Sequence, residues 1–141
     1  VCRLGGIPGL IQLLKCDNPQ LQQIAAAALR NLVFKDNNNK LEVERCKGIE
    51  AILTLLRNTK IIETQKQLTG LLWNLSSADE LKPKLIKNAM PLLTESAVVP
   101  YNFSTDSNTN KHTDPEVFYN TTGCLRCVTE TDCLVQEHRD I

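Results

Sequence analysis

The chain has 141 residues, enough for one domain with a core of its own but not for two comfortable ones. Lys plus Arg and Asp plus Glu balance at 16 each, so overall charge points to no polyanion partner. The apolar runs are far too short for a membrane span, and the start, VCRLGGIPGL, lacks the basic-then-apolar pattern of a secretory signal.

The first apolar helix is expected at 7–15, opened by the glycines of LGGIPG. A longer one follows. Pro19 suits a first helical position, with Asn18 as its N-cap. From there Leu21, Ile24, Ala25, Ala28, Leu29 and Leu32 form one apolar stripe. The small side chains from Ala25 to Ala28 let that helix approach its neighbours closely. NNNKLEVERCKG (37–48) reads as a short polar helix stopped by a glycine.

The pattern then repeats. GGIPGLIQLLK (5–15) returns as KGIEAILTLLR (47–57), and LQQIAAAALRNLVF (21–34) returns as TQKQLTGLLWNLSS (64–77), at offsets of about 43 residues. Leu68, Leu71, Leu72 and Leu75 repeat the stripe. ADELKPKLIKN (78–88) is the counterpart of the short polar helix, and Pro83 must sit in its first turn or kink it. A third copy starts near residue 80 and resumes at FYNTTGCLR (118–126), where Gly123 matches Gly70. Between those pieces, 100–115 is polar and flanked by prolines, as expected of an inserted loop. Units of this kind cannot bury their apolar faces alone. Stacking buries a shared core and gives an all-α, right-handed α-solenoid of about three repeats, with a groove lined by the long helices.

These phrases resemble the armadillo repeats of the plakophilin and delta-catenin family. The resemblance is carried by AALRNLVFKDNNNKLEV, KQLTGLLWNLSSADELK and DPEVFYNTTGCLR, and it runs from about residue 1 to 126. It divides the chain into an armadillo repeat at 1–46, a second at 47–87, a partial third at 88–126 holding the 100–115 insert, and a divergent, disordered tail at 127–141. The family phrase would continue CLRN, whereas here Cys127 replaces the Asn. About three repeats stand where the family domain has around nine. The missing initiator Met agrees with a fragment, expected to be marginally stable alone.

Candidate binding residues follow from the repeat. Asn31 and Asn74 lie off the apolar stripes one repeat apart, so stacking sets their amides in a row that can hold a peptide backbone. Trp73 offers a flat apolar face, and Arg30, at the matching position, offers a fork for a carboxylate. Lys35 and Lys40 add positive charge at the rim. The competing reading is structural: asparagines that cap neighbouring backbone and a tryptophan that fills the core. The resemblance implies that positions matching Lys40, Trp73 and Asn74 bind acidic cadherin tails. It also implies a non-catalytic junctional scaffold that joins desmosomal cadherin cytoplasmic tails and desmoplakin to the intermediate-filament plaque. The expected places are the desmosome, the cytoplasm and the nucleus, and the expected state is monomeric.

Other chemistries find less support. Cys124, Cys127, Cys133 and His138 have zinc-like spacing, but one lies in an apolar helix and the others in the unmatched tail. No cofactor is expected. His112 and His138 are the only histidines, and no nucleophile elbow or phosphate cradle is present, so no enzyme is expected. A nuclear or RNA-associated adaptor is the alternative. Residues 1–75 carry net +4 and 76–141 net −4, which favours it slightly, but six aromatic residues make a poor stacking platform.

Overall fold

A computed structural model of the chain describes residues 5–95 and 114–130. Among them the secondary structure is all helix. The elements are α1 (Gly6–Leu14), α2 (Pro19–Val33), α3 (Asn37–Arg45), α4 (Gly48–Asn58), α5 (Ile62–Ser76), a 3₁₀ turn (Asp79–Leu81), α6 (Lys82–Asn88), α7 (Met90–Leu93) and α8 (Pro115–Thr129). No described helix is long and apolar enough to cross a membrane.

The long helices α2 and α8 start by one device. Asn18 accepts hydrogen bonds from the Gln20 and Leu21 amides at 3.0 and 3.2 Å, with Pro19 entering α2 behind it. Asp114 accepts from Glu116 and Val117 at 2.9 and 3.3 Å, with Pro115 behind it. An acceptor side chain satisfies amides that lack an intrahelical partner, and proline has no amide to leave unsatisfied. The helix α5 has no side-chain cap at Ile61. It shares a second device with α2: Gln22 and Gln65, 43 residues apart, donate to the Cys16 and Thr59 carbonyls of the preceding turns at 2.6 and 3.2 Å. Pro83 lies within the first turn of α6, where its missing amide leaves no intrahelical hydrogen bond unmade.

Before α1 and α4 the chain takes the left-handed conformation, at Gly5 (φ 72°) and at Lys47 (φ 57°). The stop expected at Gly48 therefore falls one residue earlier. Gly48 itself is the first residue of α4, and its missing side chain serves packing. A Cβ there would come within 2.6 Å of Val43 Cγ1 and 2.8 Å of the Val43 carbonyl oxygen.

One core runs through the stack. Ile7, Ile11 and Leu14 of α1 meet Ala25, Ala26, Leu29 and Val33 of α2. Ile49, Ile52 and Leu56 follow from α4, then Leu68, Leu71, Leu72 and Leu75 from α5, and Cys124 and Val128 from α8. The helix α5 packs against both α2 and α8 and is the shared wall of the two halves. Its stripe is buried as the sequence indicates. The stripe of α2 is buried only in part: Leu21 and Ile24 are exposed, at 39% and 62%, while Ala26 and Val33 take core positions that the spacing did not select. The close approach expected of the alanines is made by Ala25 and Ala26.

The third copy also departs from expectation at both ends of α8. Asp114 and Pro115, read as the end of the inserted loop, start the helix. Cys127, Val128 and Thr129, read as the start of a divergent tail, complete it, and Val128 is buried. Val128 supplies the apolar group that packing needs at that turn, so the helix continues past the point where the family phrase ends. The remainder of the expected loop, 100–113, and of the expected tail, 131–141, lies outside the described residues.

Candidate peptide-binding groove

At its C-terminal end, each long helix but the last sets one side chain against a glycine of the next long helix. The Arg30 guanidinium of α2 lies over Gly70 of α5, where any Cβ would collide with it. The Trp73 indole of α5 lies over Gly123 of α8, where a Cβ would stand 2.5 Å from Cε2. The indole also meets Tyr119 edge-on, with centroids 5.3 Å apart and planes at 76°. That geometry aligns the positive edge of one ring with the negative face of the other.

Two lysines at equivalent repeat positions hold the ends of these helices. Lys40 of α3 is 7% exposed and donates to the hydroxyl of Ser77, the C-cap of α5, at 2.7 Å. Lys82 of α6 is 9% exposed and donates to the carbonyl of Glu130, the C-cap of α8, at 3.1 Å. A cation is favourable at a helix C-terminus, where carbonyls project unpaired. Lys82 is also paired with Asp79 at 2.9 Å. No carboxylate pairs with Lys40 among the described residues.

A cavity of about 410 Å³ opens where these ends meet, lined by Arg30, Phe34, Lys35, Lys40, Trp73, Asn74, Ser77 and Cys127. Four of the five residues singled out from the sequence (Arg30, Lys40, Trp73 and Asn74) come together on its wall. Asn31, the fifth, is exposed and does not line it. Asn74 Nδ2 donates to the Arg30 carbonyl at 3.1 Å, across the α2–α5 contact. Ser77 Oγ donates in turn to the Asn74 carbonyl at 2.9 Å. The Asn74 amide thus locks two helices and keeps its oxygen for another donor. Trp73 is half-buried and packed on two sides. The structural and binding readings of this pair are therefore not exclusive.

The other four lining residues are Phe34, Ser77 and Cys127, which the sequence did not single out, and Lys35, which it placed only as rim charge. Phe34 is 59% exposed, and Lys35 carries its ammonium 5.4 Å from that ring's centroid. Lys35 also has a positive φ of 53°, which turns the chain from α2 towards α3. Cys127 occupies the place where the repeat has Asn31 and Asn74, and it lines the wall as Asn74 does and Asn31 does not. Of the zinc-like set, Cys124 is buried in α8, and burial pushes its thiol up to about 12, which keeps it protonated. Cys133 and His138 lie outside the described residues.

The electrostatics of the wall are one-sided. Arg30, Lys35 and Lys40 contribute cations, and no carboxylate among the described residues lines the cavity. The rest of the wall is aromatic, amide and hydroxyl. It can take an anion at its basic side, an apolar side chain against Trp73 or Phe34, and a backbone carbonyl or amide at Asn74.

Comparison with known proteins agrees with this architecture. Residues 1–34 match the armadillo/beta-catenin-like repeat family. The chain is 50% identical over 129 residues to plakophilin-2 of Mus musculus, covering 89% of this chain and 16% of that protein. It is 38% identical over 134 residues to catenin delta-2 of Homo sapiens, covering 89% and 11%. It is 40% identical over 126 residues to the juxtamembrane domain-associated catenin of Caenorhabditis elegans, covering 88% and 10%. The chain thus spans a fifth or less of the length of these relatives. Over the stretch it covers, it belongs to the armadillo-repeat family of the plakophilins and delta-catenins.

Proposed function

We propose that the chain is a non-catalytic armadillo scaffold of cell–cell junctions whose groove binds extended, acidic peptide segments. The cytoplasmic tails of desmosomal cadherins are the ligands this reading favours, with desmoplakin and the intermediate-filament plaque as the further partners and the desmosome as the place of action. The names of the relatives support it, one of them being a juxtamembrane domain-associated catenin. The repeat units of this reading are 1–46, 47–87 and 88–126.

One observation carries it: the cavity at the ends of α2, α5 and α8 joins three cations to an indole and an amide, with no carboxylate of the described chain on its wall. An extended peptide gains little from buried area alone, so its affinity must come from a few such anchors. The test titrates the chain with a fluorescein-labelled desmosomal cadherin tail peptide and follows anisotropy. Arg30→Gln and Trp73→Phe are each expected to weaken binding about tenfold, the scale of losing one good anchor. Unchanged affinity in both variants, with native helical circular dichroism, overturns the reading.

A further inference from the structure

We infer, building on the peptide-groove reading, that this cavity selects a phosphorylated serine or threonine side chain over an aspartate or glutamate in its ligand. The argument begins with the two equivalent lysines. Both reach the C-terminal end of a long helix, and both are nearly buried. A helix C-terminus carries only about half a negative charge, so it cannot by itself balance a desolvated ammonium. At Lys82 the structure supplies the remainder through Asp79. At Lys40 the ammonium has a hydroxyl partner, and the described residues lining the cavity beside it add Arg30 and Lys35 and no carboxylate.

A side-chain carboxylate would balance one of these three cations. A phosphomonoester carries about −1.5 to −2 charges at neutral pH and presents three acceptor oxygens. Those oxygens suit the planar fork of Arg30 together with the point charges of Lys35 and Lys40. Phosphorylation of the bound segment would then strengthen docking, which makes this groove responsive to kinases acting on its partner.

The experiment uses the whole chain and labelled Gly/Ser/Glu peptides of about twelve residues, long enough in extended form to cross the three helix ends. The central position is phosphoserine, glutamate or serine. At pH 7.5 the phosphopeptide is expected to bind about tenfold tighter than the glutamate peptide. Lowering the pH to 5.5 should erode that advantage about threefold, because the second phosphate ionisation lies near pH 6 while glutamate stays charged. Arg30→Gln should shrink the gap. So should Lys35→Asn, which removes the charge and tolerates the positive φ, keeping the test valid if Lys40→Met fails to fold. Equal affinity for phosphoserine and glutamate overturns the inference and leaves the acidic-peptide reading standing. Capture on vesicles of phosphatidylcholine and phosphatidylinositol bisphosphate, lost in Lys35→Asn and without a phosphopeptide preference, overturns it in favour of a membrane. No binding of either anionic peptide overturns both readings.

Discussion

The α2–α5 and α5–α8 junctions use one mechanical plan and two chemistries. In each, a side chain near the end of one long helix lies on a glycine of the next, a lysine from a short helix closes the C-terminus, and an asparagine amide crosses between helices. At the first junction the side chain on the glycine is Arg30 and the lysine lacks a carboxylate among the described residues. At the second it is Trp73 and the lysine is paired. The crossing amides also differ in place. Asn74 reaches the Arg30 carbonyl near the end of α2, whereas Asn120 reaches the Lys66 carbonyl at 3.2 Å and the Thr69 hydroxyl at 3.3 Å, well before the end of α5. At the second junction a described carboxylate pairs with the lysine, and at the first none does. Glycine and lysine hold the geometry, and the residue laid on the glycine sets the chemistry.

That comparison can be broken at several levels. The most damaging change acts on the wall both junctions share. Leu72→Ala in α5 leaves a cavity in a fully buried site and is expected to cost about 3 kcal/mol, read by urea denaturation. A loss below about 1 kcal/mol would show that the two junctions do not share a continuous core.

The two glycines should respond differently to alanine. At Gly123 the added methyl meets a rigid indole held by Tyr119, and overpacking of about 2 to 3 kcal/mol outweighs the helix propensity gained. At Gly70 it meets the end of a flexible arginine that can swing aside, so a change near zero is expected. Thermal melts of the two variants side by side decide this, and equal shifts would contradict the contrast.

The lysines give a third, smaller contrast. Lys82→Met removes a bond to the Glu130 carbonyl and strands Asp79, at about 2 kcal/mol. Lys40→Met removes one hydroxyl contact and with it an ammonium that no described carboxylate balances, so it is expected to cost under about 1 kcal/mol. Denaturant midpoints measure both. A larger loss at Lys40 would mean its charge is already balanced within the chain.

The smallest effect concerns a cluster outside the groove. Lys84 of α6 donates to Glu44 of α3 at 2.6 Å and also to Glu50 of α4. Burial is the largest single influence on Glu50 and works to raise its pKa, but the Lys84 hydrogen bond, a backbone hydrogen bond and the charges of Lys84 and Lys47 together outweigh it and hold the carboxyl below its ordinary 4.5. The same bonds, to Glu44 first and then Glu50, raise Lys84 above 10.5. A depressed carboxyl contributes stability above its unfolded value and loses it as the pH falls through the folded one. A raised lysine contributes below its unfolded value and loses it as the pH rises through the folded one. The cluster should therefore act across the neutral range and fade below about pH 4.5 and above about pH 10.5. Lys84→Met should flatten both edges slightly in a denaturation-versus-pH series, a small effect because the Glu50 side chain is half exposed and solvent screens the pair.

How much was legible in the sequence differs from helix to helix. The stripe Leu68, Leu71, Leu72 and Leu75 could be read directly because α5 is covered on both sides, so every apolar position on its spacing found a neighbour. The same spacing in α2 placed Leu21 and Ile24 in the core, yet they are exposed, because periodicity tells which residues share a face and not whether anything covers it. Of the groove, Arg30, Trp73 and Asn74 could be found from repeat alignment, and Lys40 from its charge and the family resemblance. Lys35 was legible only as rim charge, and Phe34, Ser77 and Cys127 were not selected, since they come from a helix exit, a helix C-cap and a departure from the repeat. Cys127 shares its repeat position with Asn74, which lines the wall, and with Asn31, which does not, so repeat position alone did not decide its place.

The sequence by itself determined the helices and their order. Caps such as Asn18 with Pro19 and Asp114 with Pro115, a period near 43 residues and apolar spacing all act over a few turns, so local chemistry suffices to specify them. Only the tertiary structure decided what the end of each long helix faces. Whether Lys40 meets a carboxylate, which glycine Arg30 and Trp73 lie on, and where the Asn74 amide spends its donor are set by groups roughly 37 to 50 residues away, brought close by burial of a core that is indifferent to their identity.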